Sequence, residues 1–143
     1  MVAFTVEDCA GARTHYASAR QSRLDYGRIV QLCVERLIRH TLEIDPARLS
    51  LPSRGSRPVI FARHLSMYLA VVEGGLSYIA CGHAFSRDRR SVAYAVARIE
   101  RGRDDNPALD ACLDRLGDSL RRAIALNGAE PNTPSTLTLD LNS

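Results

Sequence analysis

Three arginines, Arg87, Arg89 and Arg90, fall within four positions, interrupted only by Asp88. A guanidinium is planar, permanently charged and forked, so a cluster of them favours phosphates and the acceptor edge of guanine. Ser91, Tyr94 and Arg98 follow at the three- and four-residue steps that keep side chains on one face of an α-helix. The chemistry of such a face is recognition of an anionic polymer rather than bond making. The chain contains no lysine, which removes both a P-loop lysine and a Schiff-base lysine, and with them P-loop nucleotide hydrolysis. His15, His40, His64 and His83 pair with no nucleophile and show no metal-ligand spacing. Cys9, Cys33, Cys81 and Cys112 form no CxxC pair and read as small buried apolar residues. No catalytic residue, metal or cofactor is expected, and the chain is not expected to be an enzyme.

The elements that must position these arginines lie between Leu76 and Glu100, which reads as two short helices joined by a tight turn. Ser77 caps the first, which runs to Phe85; Ser86 to Asp88 make the turn. Asp88 then caps a helix from Arg89 to about Arg101, with Val92, Ala95, Val96 and Ile99 on its inner stripe and Arg90, Ser91, Tyr94, Arg98 and Arg101 opposite. In a helix-turn-helix, one short helix braces a second whose N-terminal residues reach base edges. Arg89 and Arg90 occupy the first turn of the second helix, where free backbone N–H groups also favour phosphate. Helix pairs occur in every all-α protein, and an arginine-lined face is often merely solvated. The pattern alone leaves both readings open.

The rest of the chain is also helical in pattern. Residues 1–23 have weak periodicity and read as an N-terminal arm or frayed helix. From Leu24 to about His40, Tyr26, Ile29, Val30, Cys33, Val34, Leu37 and Ile38 form an amphipathic stripe. Asp45 and Pro46 open a short helical turn through Leu49, and residues 50–58 read as a loop carrying Arg54 and Arg57. A helix apolar on nearly every side continues to about Glu73, where Gly74 and Gly75 stop it; such a helix belongs at the centre of the fold. Tyr68 and Phe85 read as core anchors. Asp104 and Asp105 read as the acidic start of a last helix, from Asn106 and Pro107 to Leu126. Residues 128–143 read as a disordered tail, with a weak alternation at 136–141. The expected class is all-α, a domain of five to six helices over 24–127 containing a helix-turn-helix.

Charge is uneven along the 143 residues, although the net value is only +3. Residues 1–53 carry seven arginines against six acids, and residues 54–103 carry nine against three, Glu73, Asp88 and Glu100. Residues 104–143 carry three arginines against seven acids. Basic character is therefore concentrated around the proposed helix pair, as a phosphate-facing side requires. No apolar run approaches the roughly 18 residues that span a bilayer, and the N-terminus lacks a secretory pattern, so a cytoplasmic, nucleoid-associated protein is expected.

The segment from about Ile29 to Leu120 resembles the C-terminal duplex-binding domain of the bacterial chromosomal replication initiator DnaA, its domain IV. The residues that carry the resemblance are Arg63-His64-Leu65-Ser66-Met67-Tyr68-Leu69, similar to the family's Arg-Gln-x-x-Met-Tyr-Leu, then Gly82, Ala84-Phe85, Arg87-Asp88, Ser91-Val92, Ala95 and Ile99-Glu100. The resemblance implies that Arg63 holds backbone phosphate, that Asp88, Arg90, Ser91 and Tyr94 touch bases or nearby phosphates, and that Arg98 adds a phosphate contact. His64, at the family's glutamine position, is a further candidate for phosphate. A gapless match places Gly55 where the family inserts a minor-groove arginine, so flanking Arg54 or Arg57 takes that part. Ser77, Arg87 and Arg89 complete the candidate DNA-contacting set.

The departures are informative too. The family's recognition helix usually begins Asp-His-Thr-Thr, whereas this chain reads Asp88-Arg89-Arg90-Ser91, which favours guanine edges or phosphates and a site different from the standard initiator box. The initiator's ATPase has no counterpart in these residues. Stand-alone domains of this type look like transcription regulators, particularly in GC-rich bacteria. Double-stranded DNA is the expected partner, with RNA polymerase or another regulator, and a second copy through the N-terminal region, as further candidates. Two alternatives stay open: a replication or nucleoid factor competing with the initiator at origin sites, and a protein-docking adaptor that binds no DNA.

Overall fold

Among the described residues the chain forms five α-helices, and several of the boundaries between them fall where a side chain supplies a hydrogen bond that a helix end lacks. The computed structural model describes residues 6–51 and 55–127, with side chains from residue 21 onward. Among the described residues there is no strand, and the fold is all-α. The calls made on residues 128–143, including the alternation at 136–141, lie outside the described residues.

Helix α1, Val6–Leu42, has 37 residues and is about 55 Å long at 1.5 Å per residue. It begins well before Leu24, so the expected boundary between arm and domain falls inside a continuous helix. Alanine and arginine are good helix formers even where no apolar stripe marks the element, which is why periodicity alone left an arm and a frayed helix both open here. Val30, Cys33, Val34 and Ile38 put the second half of α1 in the core, whereas residues 21–25 are exposed. A short 3₁₀ turn, Pro46–Ser50, follows. The Asp45 carboxylate accepts from the Ala47 N–H at 3.1 Å to start it, and Leu49 is fully buried beneath it.

Helix α2, Arg57–Tyr68, runs through the centre and ends in a π turn, Leu69–Glu73, which the sequence pattern did not foretell. There the Gly74 N–H donates to the Leu69 carbonyl at 2.8 Å, five residues back. A Cβ on Gly74 would stand 2.6 Å from Val30 Cγ1 and from the Ala70 carbonyl oxygen, so only glycine lets α1 come this close. The Tyr26 hydroxyl of α1 donates to the Gly74 carbonyl and caps the turn from the side. Burial of α2 is not complete: Phe61 and, on the π turn, Val72 face solvent.

Helices α3, Tyr78–Phe85, α4, Arg89–Asp105, and α5, Pro107–Leu126, complete the fold. Helix α2 packs chiefly on α4, and α5 packs on both α1 and α4. Helix α4 continues one turn past Arg101. Asp104 and Asp105, expected to open the last helix, therefore close α4 instead. The start of α5 is capped by Asn106, whose side-chain oxygen accepts from the Ala108 and Leu109 N–H groups at 3.1 and 3.2 Å. Arg103 holds the extra turn of α4 in place. Its guanidinium donates to Asp110 at 2.6 Å, to the Tyr68 hydroxyl at 2.6 Å and to Asp114 at 2.8 Å, linking α4, α5 and α2. Cys33 and Cys81 are buried and Cys112 is half-buried; burial pushes the Cys81 thiol up to about 12, which leaves it unreactive. Phe85 and Tyr68 sit in the core as expected.

Candidate nucleic-acid interface

The turn between α3 and α4 is fixed by three local features. Ser77 caps α3, its hydroxyl accepting from the Ala80 N–H at 3.1 Å. Ser86 ends α3 in the left-handed conformation, φ 56° and ψ 46°, and the Arg87 N–H returns to the Gly82 carbonyl at 2.9 Å. Gly82 lies so close beneath the turn that a Cβ there would collide with the Arg87 carbonyl oxygen. Asp88 then starts α4. Its carboxylate accepts from the Ser91 N–H at 2.7 Å, and that bond foremost holds its pKa below the usual carboxylate value. The one carboxylate inside the arginine cluster is thus engaged by the helix start.

Each residue of an α-helix advances about 100° around the axis. Val92, Ala95, Val96 and Ile99 point into the core, so Arg90, Tyr94, Arg98 and Arg101 point outward together, with Ser91 at their edge. Arg89 is exposed but lies about 100° around from Arg90, away from this stripe. On the facing helix α2, Arg57, Ile60, Phe61 and His64 recur at steps of three and four. The two stripes enclose an open groove of about 1230 Å³. Six arginines line it, Arg57, Arg63, Arg87, Arg90, Arg98 and Arg101, against two carboxylates, Asp88 and Asp105.

Nine of the twelve residues singled out from sequence line this groove: Arg57, Arg63, His64, Arg87, Asp88, Arg90, Ser91, Tyr94 and Arg98. Ser77 and Arg89 do not line it, and Arg54 lies outside the described residues. Two of the nine have other work to do. Arg63, expected to hold phosphate, is buried; its Nε donates to the Leu49 carbonyl at 2.9 Å and one Nη to the Arg48 carbonyl at 3.3 Å. The last carbonyls of a 3₁₀ turn lack partners within the turn, and Arg63 supplies them from the floor of the groove. Burial, then the nearby Arg87, lowers its pKa from the usual arginine value. Arg87 itself donates to the Ser86 carbonyl at 2.9 Å and to the Leu51 carbonyl. The arginines most exposed to a ligand are therefore Arg57, Arg90, Arg98 and Arg101.

Arg101 was visible on the outward face in the sequence but not placed in the contact set. Phe61 was missed as well, although the 57, 60, 61, 64 spacing of α2 carried the signal. Phe61 is 38% exposed and Tyr94 54%, giving the groove two accessible aromatic rings. The His64 ring meets Tyr94 edge-on, with ring centres 5.7 Å apart and planes at 74°. Burial, then Arg98 and Arg63, holds the His64 imidazole below the usual histidine value. Among the described residues no group of three or more His, Cys, Asp or Glu side chains is arranged to hold a metal ion, and no helix is long and apolar enough to cross a membrane. Comparison with protein-family models and with curated proteins returned no match.

Proposed function

We propose that this protein binds double-stranded DNA sequence-specifically, with α3 and α4 as a helix-turn-helix and α4 as the helix that enters the major groove. The observation that carries this reading is the common outward direction of Arg90, Tyr94 and Arg98 on a helix whose first turn is capped and braced. On this reading Arg90 and Ser91 meet base edges, while Arg98 and Arg57 hold the flanking phosphates. The resemblance of residues 29–120 to the initiator's duplex-binding domain supports the same assignment. The arginine at 90, where the initiator family has a small side chain, favours guanine-containing sites over the initiator box.

On this reading the protein is a nucleoid-associated transcription regulator rather than an enzyme. Gel shift of the purified chain against fragments of its own genome tests it, with Arg90→Ala and Arg98→Ala as controls. Retarded fragments that the two variants no longer retard support the reading; unretarded fragments, or variants that bind as well as the parent, refute it. Occupancy at promoters, rather than at the replication origin, separates a regulator from a factor that competes with the initiator.

A further inference from the structure

His64 is the only titratable ring on the α2 wall of the groove, and its placement is specific. It stands at ring-contact distance from Tyr94 on the opposite wall, 5.7 Å between centres at 74°, so one aromatic pair bridges α2 and α4. Edge-on pairs of this kind resist rotation of either ring. Tyr94 is more than half exposed, and its ring meets the His64 ring across the groove. The charged groups around the imidazole come from every side. Arg63 lies on its own helix, Arg98 on α4 beside Tyr94, and Arg87 in the turn, with Arg90 and Arg101 further along α4 and Asp88 and Asp105 as the groove's carboxylates.

We infer that His64 is a positioning residue: its ring sets the orientation of Tyr94 in the groove, and its protonation couples filling of the groove by an anionic backbone to uptake of one proton. The inference rests on the DNA-binding reading for the identity of that backbone. The physical steps are short. In the unliganded protein, burial foremost, then Arg98 and Arg63, disfavours the protonated imidazole. A phosphate that approaches Arg98 offsets its charge and removes the larger of the two charge repulsions that oppose a further cation beside it. His64 then binds a proton, the imidazolium gains attraction to both the phosphate and the Tyr94 ring, and affinity rises as pH falls. The two effects share one side chain and separate by substitution: phenylalanine keeps a ring without a proton, and glutamine keeps polarity without a ring.

The test uses the full chain. NMR follows the His64 imidazole and the Tyr94 ring from pH 8 to pH 5 in the parent, in Arg98→Ala and in His64→Gln, without DNA. The expected result is a His64 midpoint below the ordinary histidine value of 6.5, a higher midpoint in Arg98→Ala, and Tyr94 resonances that move with the titration and become flat in His64→Gln. Fluorescence anisotropy then compares a selected duplex with a shuffled one at two pH values. The parent binds more tightly at the lower pH; His64→Phe keeps the site preference but loses the pH dependence; His64→Gln loses both, its preference falling about three- to tenfold, the size of an aromatic pair. Tyr94 resonances that ignore the state of His64, or a His64→Gln protein with full preference and pH dependence, overturn the inference. Intact coupling by NMR with no duplex bound would overturn the DNA-binding reading and still support the brace.

Discussion

The Nε of Arg63 donates to the carbonyl of Leu49 at 2.9 Å, so a guanidinium on the central helix closes the end of the 3₁₀ turn that precedes it. A second donor reaches the Arg48 carbonyl at 3.3 Å, and both bonds lie in a buried or half-buried setting. Arg63→Ala leaves these carbonyls without partners, and the expected loss is about 1–3 kcal/mol. Arg63→Lys does not restore it, because a point charge lacks the fork that spans two carbonyls. Urea unfolding monitored by circular dichroism measures both variants. A neutral Arg63→Ala would show that the side chain serves only a ligand.

Gly82 sits directly under the Arg87 carbonyl at the crossing of α3 and the turn. The blocking atom belongs to the backbone, so no side-chain rotation relieves Gly82→Ala. A cost of about 2–3 kcal/mol is expected, at the upper end for overpacking. Because the shift falls on the turn that aims α4, the proposed DNA binding, measured below the melting temperature, should weaken as well. A Gly82→Ala protein as stable as the parent would contradict this account of the turn.

The α3–α4 pair, its caps at Ser77 and Asp88, and the whole of α5 were legible from sequence because each begins with a residue whose side chain accepts backbone N–H bonds. The outward stripe of α4 was legible because four apolar residues define the opposite face. What escaped was set by contacts distant in sequence. Nothing local to Arg63 announces that the carbonyls of residues 48 and 49 will lie over it. Nothing local to Asp104 and Asp105 shows that Arg103 will reach Tyr68, Asp110 and Asp114 and so prolong α4. The π turn at Leu69–Glu73 likewise ends at Gly74, where Val30 of α1 packs too closely for a Cβ, a contact distant in sequence.

Arg103 donates to Asp110, to the Tyr68 hydroxyl and to Asp114, and these hydrogen bonds raise its pKa above the usual arginine value. Tyr68→Phe removes one of these bonds within an otherwise unchanged core, and a loss of about 1 kcal/mol is expected. Arg103→Ala should cost more, because it strands the Tyr68 hydroxyl and releases the last turn of α4. Hydrogen exchange should then speed up at residues 102–105 before the rest of the helix. Uniform exchange along α4 would show that the network does not hold this turn.

Stability should respond to pH in two separate windows. The folded pKa of His64 lies below its ordinary value of 6.5, so protons favour the unfolded chain. The corresponding stability is complete above 6.5 and declines as pH falls below it; His64→Gln abolishes that decline. Asp88 also has a lowered pKa in the folded state, but its contribution is lost only below the ordinary carboxylate value of 3.8. Melting temperatures of the parent, His64→Gln and Asp88→Asn between pH 8 and pH 3 check both. A parent curve that is flat from pH 7 to pH 5 would contradict the His64 assignment.

The central claim is that the outward face of α4 binds duplex DNA, and anisotropy against a selected duplex over a range of salt concentrations tests it most directly. The account predicts an affinity that falls steeply with salt, a slope that drops by about one for Arg98→Ala, and a loss of about 1–3 kcal/mol of discrimination for Arg90→Ala. Affinity that is independent of salt, or unchanged when both arginines are removed, would contradict it.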